Sequence, residues 1–530
     1  MVFQNDILAG AAGAGGGYTI DQSIRFNDND SAYLSRTSTS ADSDRKFASV
    51  SMWLKRCNLT SRQIFYSING AGSSGASNQI SMGFENSGTN GDSITYNNGA
   101  VNRQSTSVYR DVSGWYHFCQ IFDTTQATAA NRVKTYINGV LLTDINIGQD
   151  FSLNSNTPFG QSSVVHYIGR RDSGFYFDGY MSEVVFTVGQ SVAVTDFGET
   201  NSDGVWIPKA YTGTYGTNGF YITGEDSADL GADYSGNGNN FTSSGLTSDD
   251  QVTDSPTENY ATLTPLIVVP SGTISNGNLE YTRGSTASHG SVGSSFALPT
   301  TGKWYWEVTA AATGGNNEAI GVANILNNPQ LPAAGAEIGS RTGDYIYRSN
   351  GVKVSGGAST SYGATFTSGD IIGVAWNSDD GEITFFKNNA TQGVAYSGIS
   401  QQAGKYVAAD SQAQTGTTVF NFGQSGFTYT PPTGFSALST ANLTDSTITT
   451  SGSFTGNAST DGPFVFLNGV PTAMTINGNS VTFGTDADKL ANGFKVRSSS
   501  SSYNASGSNT FVISATDASF ADNANAQSNP

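Results

Sequence analysis

Side chains able to do chemistry are few and scattered in these 530 residues. The histidines are His117, His166 and His289, and the cysteines are Cys57 and Cys119. No histidine adjoins a Gly-x-Ser-x-Gly elbow, and both cysteines fall in strand-like stretches rather than at a helix start, so neither a catalytic triad nor an activated thiol is expected. Zinc is not expected, because Cys-x-x-Cys and His-x-x-x-His spacings are missing. Glycoside hydrolysis needs two carboxylates flanking one bond. Here Glu183 and Glu382 stand alone among apolar strand residues or at a turn, which reads as a solvated strand edge. One segment gathers hard oxygen ligands of the kind Ca²⁺ collects, namely Asp226, Asp229, Asp233, Asn237 and Asn239. The same residue types build tight turns. Calcium is thus the one candidate ion, and no cofactor is required. For stacking on sugar rings, Tyr211, Tyr215, Phe220, Tyr345, Tyr347 and Tyr362 lie in segments that read as loops or sheet edges.

The elements that must position these residues are strands. Ile372, Val374 and Trp376 alternate onto one face, Asp379-Asp380-Gly381 turns the chain, and Ile383 and Phe385 return before Asn388-Asn389 turns it again. Trp304, Trp306 and Val308 repeat the alternation. Phe47 to Leu54, Ile64 to Tyr66, Ile80 to Phe84, Trp115 to Phe122 and Val133 to Leu142 read as further short strands, with Asn138-Gly139 as a type I′ hairpin turn. Asp486 to Leu490 is the one helical turn expected. Gly at 64 residues and only 12% charged residues favour turn-rich β structure, while 11% aromatics supply real cores. The fold class is therefore all-β. The 24 basic residues are outnumbered by 42 acidic ones, for a net charge of −18. Without a basic stripe, nucleic acid and anionic membrane are not expected partners. Two cysteines are too few for a disulfide framework, and two buried free thiols are favoured over one bridge. The N-terminus lacks a basic start and a continuous apolar run, so neither a signal peptide nor a transmembrane helix is expected.

Several segments carry resemblances. Gly302 to Val308, Ala319 to Ala323 and Gly369 to Tyr396, within about Leu263 to Leu438, resemble the SPRY domain, a concanavalin-like recognition sandwich. Its variable loops would be Asn324 to Tyr347 and Lys353 to Tyr362. Trp115-Tyr116-His117, Tyr136-Ile137-Asn138-Gly139-Val140, Tyr167 to Arg170 and Phe177 to Val184 resemble the laminin G-like, concanavalin A-type lectin fold across Ser23 to Phe186. In that pattern His117 and His166 are ordinary strand residues, and Asp233 to Asn239 resembles a segment found in laminin G-like domains. Phe197 to Thr200, Trp206 to Pro208, Tyr215 to Tyr221 and Asp233 to Asn239 recur together in phage virion and tail proteins. Asp254 to Tyr260 looks like the linker those proteins carry. Phe454 to Asn457, Asp461 to Val465 and Ala491 to Val496 resemble a C-terminal β module of phage tail-associated proteins, although Val470 to Met474 replaces its Trp-bearing strand.

These resemblances imply tandem concanavalin A-like sandwiches of jelly-roll type plus a small C-terminal β domain. The expected parts are a docking peptide at 1–17, with Val2, Phe3, Ile7 and Leu8 as its contacts, a lectin-type sandwich with extension at 18–254, a SPRY-like sandwich at 255–441 and a β domain at 442–530. They also imply a tail fibre or appendage protein of a phage virion that recognises a host surface glycan or receptor without catalysis. Its partners would be other tail or capsid proteins, with homotrimerisation the family's default and no membrane insertion. A capsid or tail decoration or head-fibre protein and a divergent polysaccharide depolymerase are the alternatives.

Overall fold

The computed structural model describes residues 17–443, apart from 71–78, 87–90, 100, 173, 202–203, 266–271, 285–288, 312–317, 327–330, 332–335 and 403, and the strands of a C-terminal unit within 448–515. Val2, Phe3, Ile7 and Leu8 of the expected docking peptide lie outside the described residues. The compact units are 1–442 and 443–530.

In the first unit, alternating apolar residues build two sandwiches. One sheet of the first orders Val140–Leu141, Val133–Ile137, Tyr116–Asp123, Phe47–Arg56, Gly179–Val188, Ser23–Phe26 and Gln251–Val252, with Phe220–Ile222 also pairing Gly179–Val188. The facing sheet orders Thr242–Ser244, Tyr33–Thr37, Val164–Ile168, Gln63–Gly70, Gln79–Phe84, Ser93–Asn97 and Asn102–Val108. The period of two puts Ala48, Val50, Met52 and Leu54 into the shared core with Phe118, Phe122 and Phe186. Asn138 (φ 49°) and Gly139 (φ 75°) form the expected primed turn.

A bulge in Gly179–Val188 shifts register between Ser182 and Val185, and Glu183 sits there at φ 54°. The extra residue lets Met181 and Val184 both face the core, at the cost of a left-handed backbone on a non-glycine residue.

Strand Phe47–Arg56 is buried on both faces. Its outer residue Trp53 joins Ile20, Cys57, Trp115, Tyr180 and Val252 in a second apolar cluster, with Trp206 packed against it. Residues 190–252 therefore do more than extend the sandwich: they cover one sheet's outer face and add strands to both sheets. Cys57 and Cys119 are free and buried.

The second sandwich pairs a sheet ordered Gly272–Ser275, Glu280–Arg283, Gly416–Asn421, Lys303–Thr309, Ile371–Asn377, Glu382–Lys387 and Ala390–Tyr396 with one ordered Gly290–Ala297, Tyr406–Gln412, Glu318–Asn324, Tyr345–Arg348, Val352–Ser355 and Ala358–Ser361. Strands Val352–Ser355 and Ala358–Ser361 thus occupy most of the expected variable loop Lys353 to Tyr362, while Tyr345–Arg348 takes only the end of the expected loop Asn324 to Tyr347. The segment Asp254 to Tyr260 is no free linker. Lys55 Nζ, fully buried, donates to Asp254 Oδ2 (2.7 Å), Asn259 Oδ1 (2.7 Å) and the Tyr260 carbonyl (2.9 Å), satisfying all three ammonium protons. Trp115 Nε1 donates to Asp254 Oδ1 at 3.0 Å, and Tyr180 Oη to the Gly277 carbonyl at 2.7 Å, so the joint is hydrogen-bonded from both sandwiches.

The C-terminal unit contains a four-stranded sheet ordered Ile448–Gly456, Gly507–Ala515, Ala473–Ile476, Asn479–Ser480 and a three-stranded sheet ordered Phe464–Phe466, Gly493–Val496, Ala487–Leu490. Ala487–Leu490 is a strand, where one helical turn was expected. Its pairing with Gly493–Val496 overrides the local helical preference of Ala, Asp, Lys and Leu.

Candidate functional site

The sequence-predicted residues divide sharply. Asp233 is half-buried and its carboxylate is occupied by its own loop. Oδ1 accepts from the backbone N–H groups of Tyr221 and Ser235, both at 2.9 Å, and Oδ2 from Ser235 Oγ (2.8 Å) and Asn239 N–H (2.7 Å). Asn237 Nδ2 donates to the carbonyls of Gly216 and Gly219, and Asn239 Nδ2 to those of Thr217 and Gly219. Asp226 and Asp229 make short turns onto Ala228 and Gly231. Among the described residues no three His, Cys, Asp or Glu side chains gather around one point. The expected calcium ligands instead lock residues 216–241 by hydrogen bonds.

That locked loop walls a cleft of about 430 Å³ against strand Tyr33–Thr37. Ser35, Arg36, Thr37 and Thr39 line one side, and Asn239, Asn240 and Thr242 the other. Arg36 Nη2 donates to Asn239 Oδ1, tying the two walls together. Hydroxyls, amides and one guanidinium in a concave setting match the donors and acceptors of a sugar ring.

A second groove, of about 320 Å³, is lined by Gln190, Val192, Asp196, Lys209, Tyr211 and Thr214, among others. Tyr211 stacks on Phe197 with centroids 4.9 Å apart and meets Tyr215 edge-on at 5.1 Å. Tyr215 stacks on Tyr221 at 6.2 Å. Tyr211 and Tyr215 are therefore brought together, half-buried, on the covered sheet's outer face.

The other aromatic expectations need correction. Phe220 is fully buried in the first core, because its strand Phe220–Ile222 pairs Gly179–Val188 and turns the ring inward against Phe186 and Phe241. Tyr347 is likewise fully buried, packed on Phe366 and Phe385, because Tyr345–Arg348 is an interior strand of its sheet. Tyr345 and Tyr362 are half-buried: Tyr345 packs on Tyr396 and Tyr406, and Tyr362 Oη bonds the Gly393 carbonyl.

Glu183 is not a solvated edge group. Its carboxylate accepts from Tyr18 Oη (2.8 Å) and Tyr221 Oη (2.6 Å), and burial raises its pKa against these two bonds. Glu318 and Asp410, on paired strands, are both fully buried, and burial followed by the Glu318 charge raises Asp410 well above the carboxylate range. His117 is buried and pushed down to about 3 by burial. Trp206 Nε1 donates to its Nδ1 at 3.0 Å, which leaves the ring proton on Nε2 facing Ser51 Oγ at 2.8 Å. Burial also pushes His166 down to about 3, with Tyr66 Oη 2.8 Å from its Nδ1.

Comparison with known families agrees with this architecture. Residues 27–189 match the concanavalin A-like lectin/glucanases superfamily, in its laminin G form, and residues 303–425 match the SPRY domain. Among solved structures, the SPRY domain of human HERC1 is 18% identical, covering 30% of this chain and 96% of its own, with a TM-score of 0.25. A SAP-like pentraxin from Limulus polyphemus is 15% identical, covering 33% and 78%, with a TM-score of 0.24. A candidate carbohydrate-binding protein from Bacteroides ovatus is 16% identical, covering 43% and 60%, with a TM-score of 0.29. The Tyr211 groove lies wholly beyond the 27–189 match, and the Arg36 cleft takes half of its lining from residues 238–242 beyond it, which is why the family pattern alone does not mark either. The chain is thus an all-β protein carrying a laminin G-like, concanavalin A-like sandwich and a SPRY sandwich in series.

Proposed function

We propose that this chain is a tail fibre or appendage protein of a phage virion that recognises the host surface by binding carbohydrate, without catalysis. The observation that carries the reading is the cleft between Tyr33–Thr37 and Asn239–Thr242, whose polar lining is held rigid by the Asp233, Asn237 and Asn239 bonds. A preformed cleft spares the ordering cost a flexible loop incurs on binding. The concanavalin A-like match supports carbohydrate binding, and the virion placement rests on the resemblance of residues 197–260 to virion proteins. A non-catalytic role is supported by the carboxylates themselves: Glu183 is engaged by two tyrosines, and Glu318 with Asp410 is enclosed between sheets. In the virion the chain would act as a homotrimer attached to other tail or capsid proteins.

The decoration-protein reading is favoured by one observation, the fully buried Lys55 joint that fixes the sandwiches to each other. Gold-labelled antibody to residues 18–254 on purified particles separates the two. Label at tail extremities, with adsorption blocked by free protein, is expected. Label over the head with unaltered adsorption would assign the sandwiches to architecture.

A further inference from the structure

The open face of the first sandwich carries a second constellation. Register places Thr242, Ser35, Tyr167 and Ser67 in one row across the sheet, with Ser244 and Tyr33 beside them. The wall of the polar cleft therefore continues along the strand to Tyr33. After Ile168 the chain folds back over this face: Ser67 Oγ donates to the Arg170 carbonyl (2.9 Å), and Gln79 Nε2 to Asp172 Oδ1 (2.9 Å).

The fold-back concentrates arginine and aromatic side chains. The Arg170 guanidinium carbon lies 3.9 Å from the Tyr33 ring centre, 4.7 Å from Tyr167 and 5.8 Å from Tyr176. Its Nη1 donates to Tyr176 Oη at 3.2 Å, and its Nε, buried from solvent, has no hydrogen-bond partner. Among the described residues no carboxylate stands within ion-pair distance of Arg170. Beside it, Phe175 is 39% exposed at φ 57°, a left-handed conformation costly for a bulky side chain. Arg171 (4.8 Å) and Arg62 (5.1 Å) flank its ring. Asp172 answers Arg171 at 3.4 Å and Glu85 answers Arg62 at 3.4 Å, so Arg170 leaves the patch with one excess positive charge. In a chain of net charge −18 that is a local reversal of sign.

An exposed ring beside arginines suits a sugar that bears an anion: the ring's face stacks on the sugar's C–H face, and the planar guanidinium meets a carboxylate or sulfate with paired donors. We propose that Arg170, Arg171 and Phe175 form a subsite, continuous with the Ser35 and Thr242 cleft, that takes the anionic residues of an acidic polysaccharide. This deepens the carbohydrate reading above and rests on it.

Calorimetric titration of the full chain with alginate oligosaccharides, dextran sulfate and neutral dextran tests the subsite. Dextran sulfate separates any anion from a uronate carboxylate. The expected result is binding of an acidic polymer at least tenfold tighter than dextran, weakened by salt and reduced at least tenfold in both Arg171→Gln and Phe175→Ala. Phe175 is exposed and Arg171 half-buried, and an unchanged melting temperature would show that the variants fold. Equal affinity for acidic and neutral polymers, or full acidic binding by both folded variants, would overturn the subsite while leaving carbohydrate recognition intact. Binding of no glycan, on these polymers and on a broad glycan panel, would overturn both.

Discussion

The two sandwiches spend their polar side chains on opposite sides of a common architecture. In the second, Glu318, Asp410, Gln412 and Thr418 lie between the sheets: Thr418 Oγ1 donates to Glu318 Oε1 at 2.9 Å, and Gln412 Nε2 to Asp410 Oδ2 at 2.9 Å. Each of these side chains makes at least one hydrogen bond inside the fold, although Asp410 Oδ1 and Gln412 Oε1 are buried without a partner. In the first, the interior is dominated by Phe65, Phe118, Phe122, Phe159 and Phe186, while Ser35, Thr37, Asn240, Thr242, Arg170 and Phe175 face outward or line clefts. The difference teaches where ligand recognition belongs. A buried polar network specifies a unique packing, whereas unspent donors on a rigid face can bind.

The joint between them is where the largest effect is expected. Lys55→Met strands Asp254 in a fully buried setting, a loss of about 3–5 kcal/mol, read as a lower denaturation midpoint. A midpoint shift under about 1 kcal/mol would mean the joint admits water. Next, Phe220→Ala is expected to cost about 3–5 kcal/mol as a core cavity. Tyr211→Ala, at a half-buried groove wall, is expected to cost about 1 kcal/mol or less. Equal losses would erase the division between core and groove aromatics.

The joint should also sense pH. Burial, then the neighbouring Asp28 charge, raises Asp178 to about 8, and the Gly277 N–H donates to its Oδ1. The folded state therefore holds a proton that the unfolded chain has released above about pH 4. Stability from this group is present at acid pH and is lost as pH rises toward 8, at about 1.4 kcal/mol per unit. His117 and His166 act in the opposite sense, since their folded values near 3 penalise acid below about pH 6.5. Asp178→Asn should flatten the decline in melting temperature between pH 6.5 and 8. An unchanged slope would remove Asp178 as its cause.

The sequence made some of this legible. The Gly369 to Tyr396 meander was readable because its alternation and turn residues are contiguous, and Asn388 and Asn389 do adopt positive φ, at 48° and 69°. Phe220 and Tyr347 read as loop or edge residues because an aromatic in a short strand looks alike whichever face it takes, and only pairing fixes the face. Asp254 to Tyr260 resembles a linker of virion proteins, yet tertiary acceptors for Lys55 make it the joint. The Arg170 platform was not readable, because Tyr33, Tyr167 and Tyr176 converge from separate segments and carry no local spacing signal. The Asp233 loop is half readable: its oxygen-rich composition is plain in the sequence, but whether those oxygens face an ion or the chain's own amides depends on partners distant in sequence.

The smallest expected effect is that of added calcium on that loop. Millimolar calcium should leave the melting temperature unchanged, and Asp233→Asn should cost about 1–2 kcal/mol through weakened charge-assisted bonds. A calcium-dependent rise of several degrees, abolished by Asp233→Asn, would restore a metal site there.

The central claim, that the first sandwich binds carbohydrate through its open polar face, is tested most directly on a broad glycan array, comparing the full chain with an Asn240→Ala, Thr242→Ala variant of equal melting temperature. Saturable binding to a defined set of glycans, lost in the variant, is the predicted result. Identical binding by both proteins, or no binding by the wild-type chain, would contradict it.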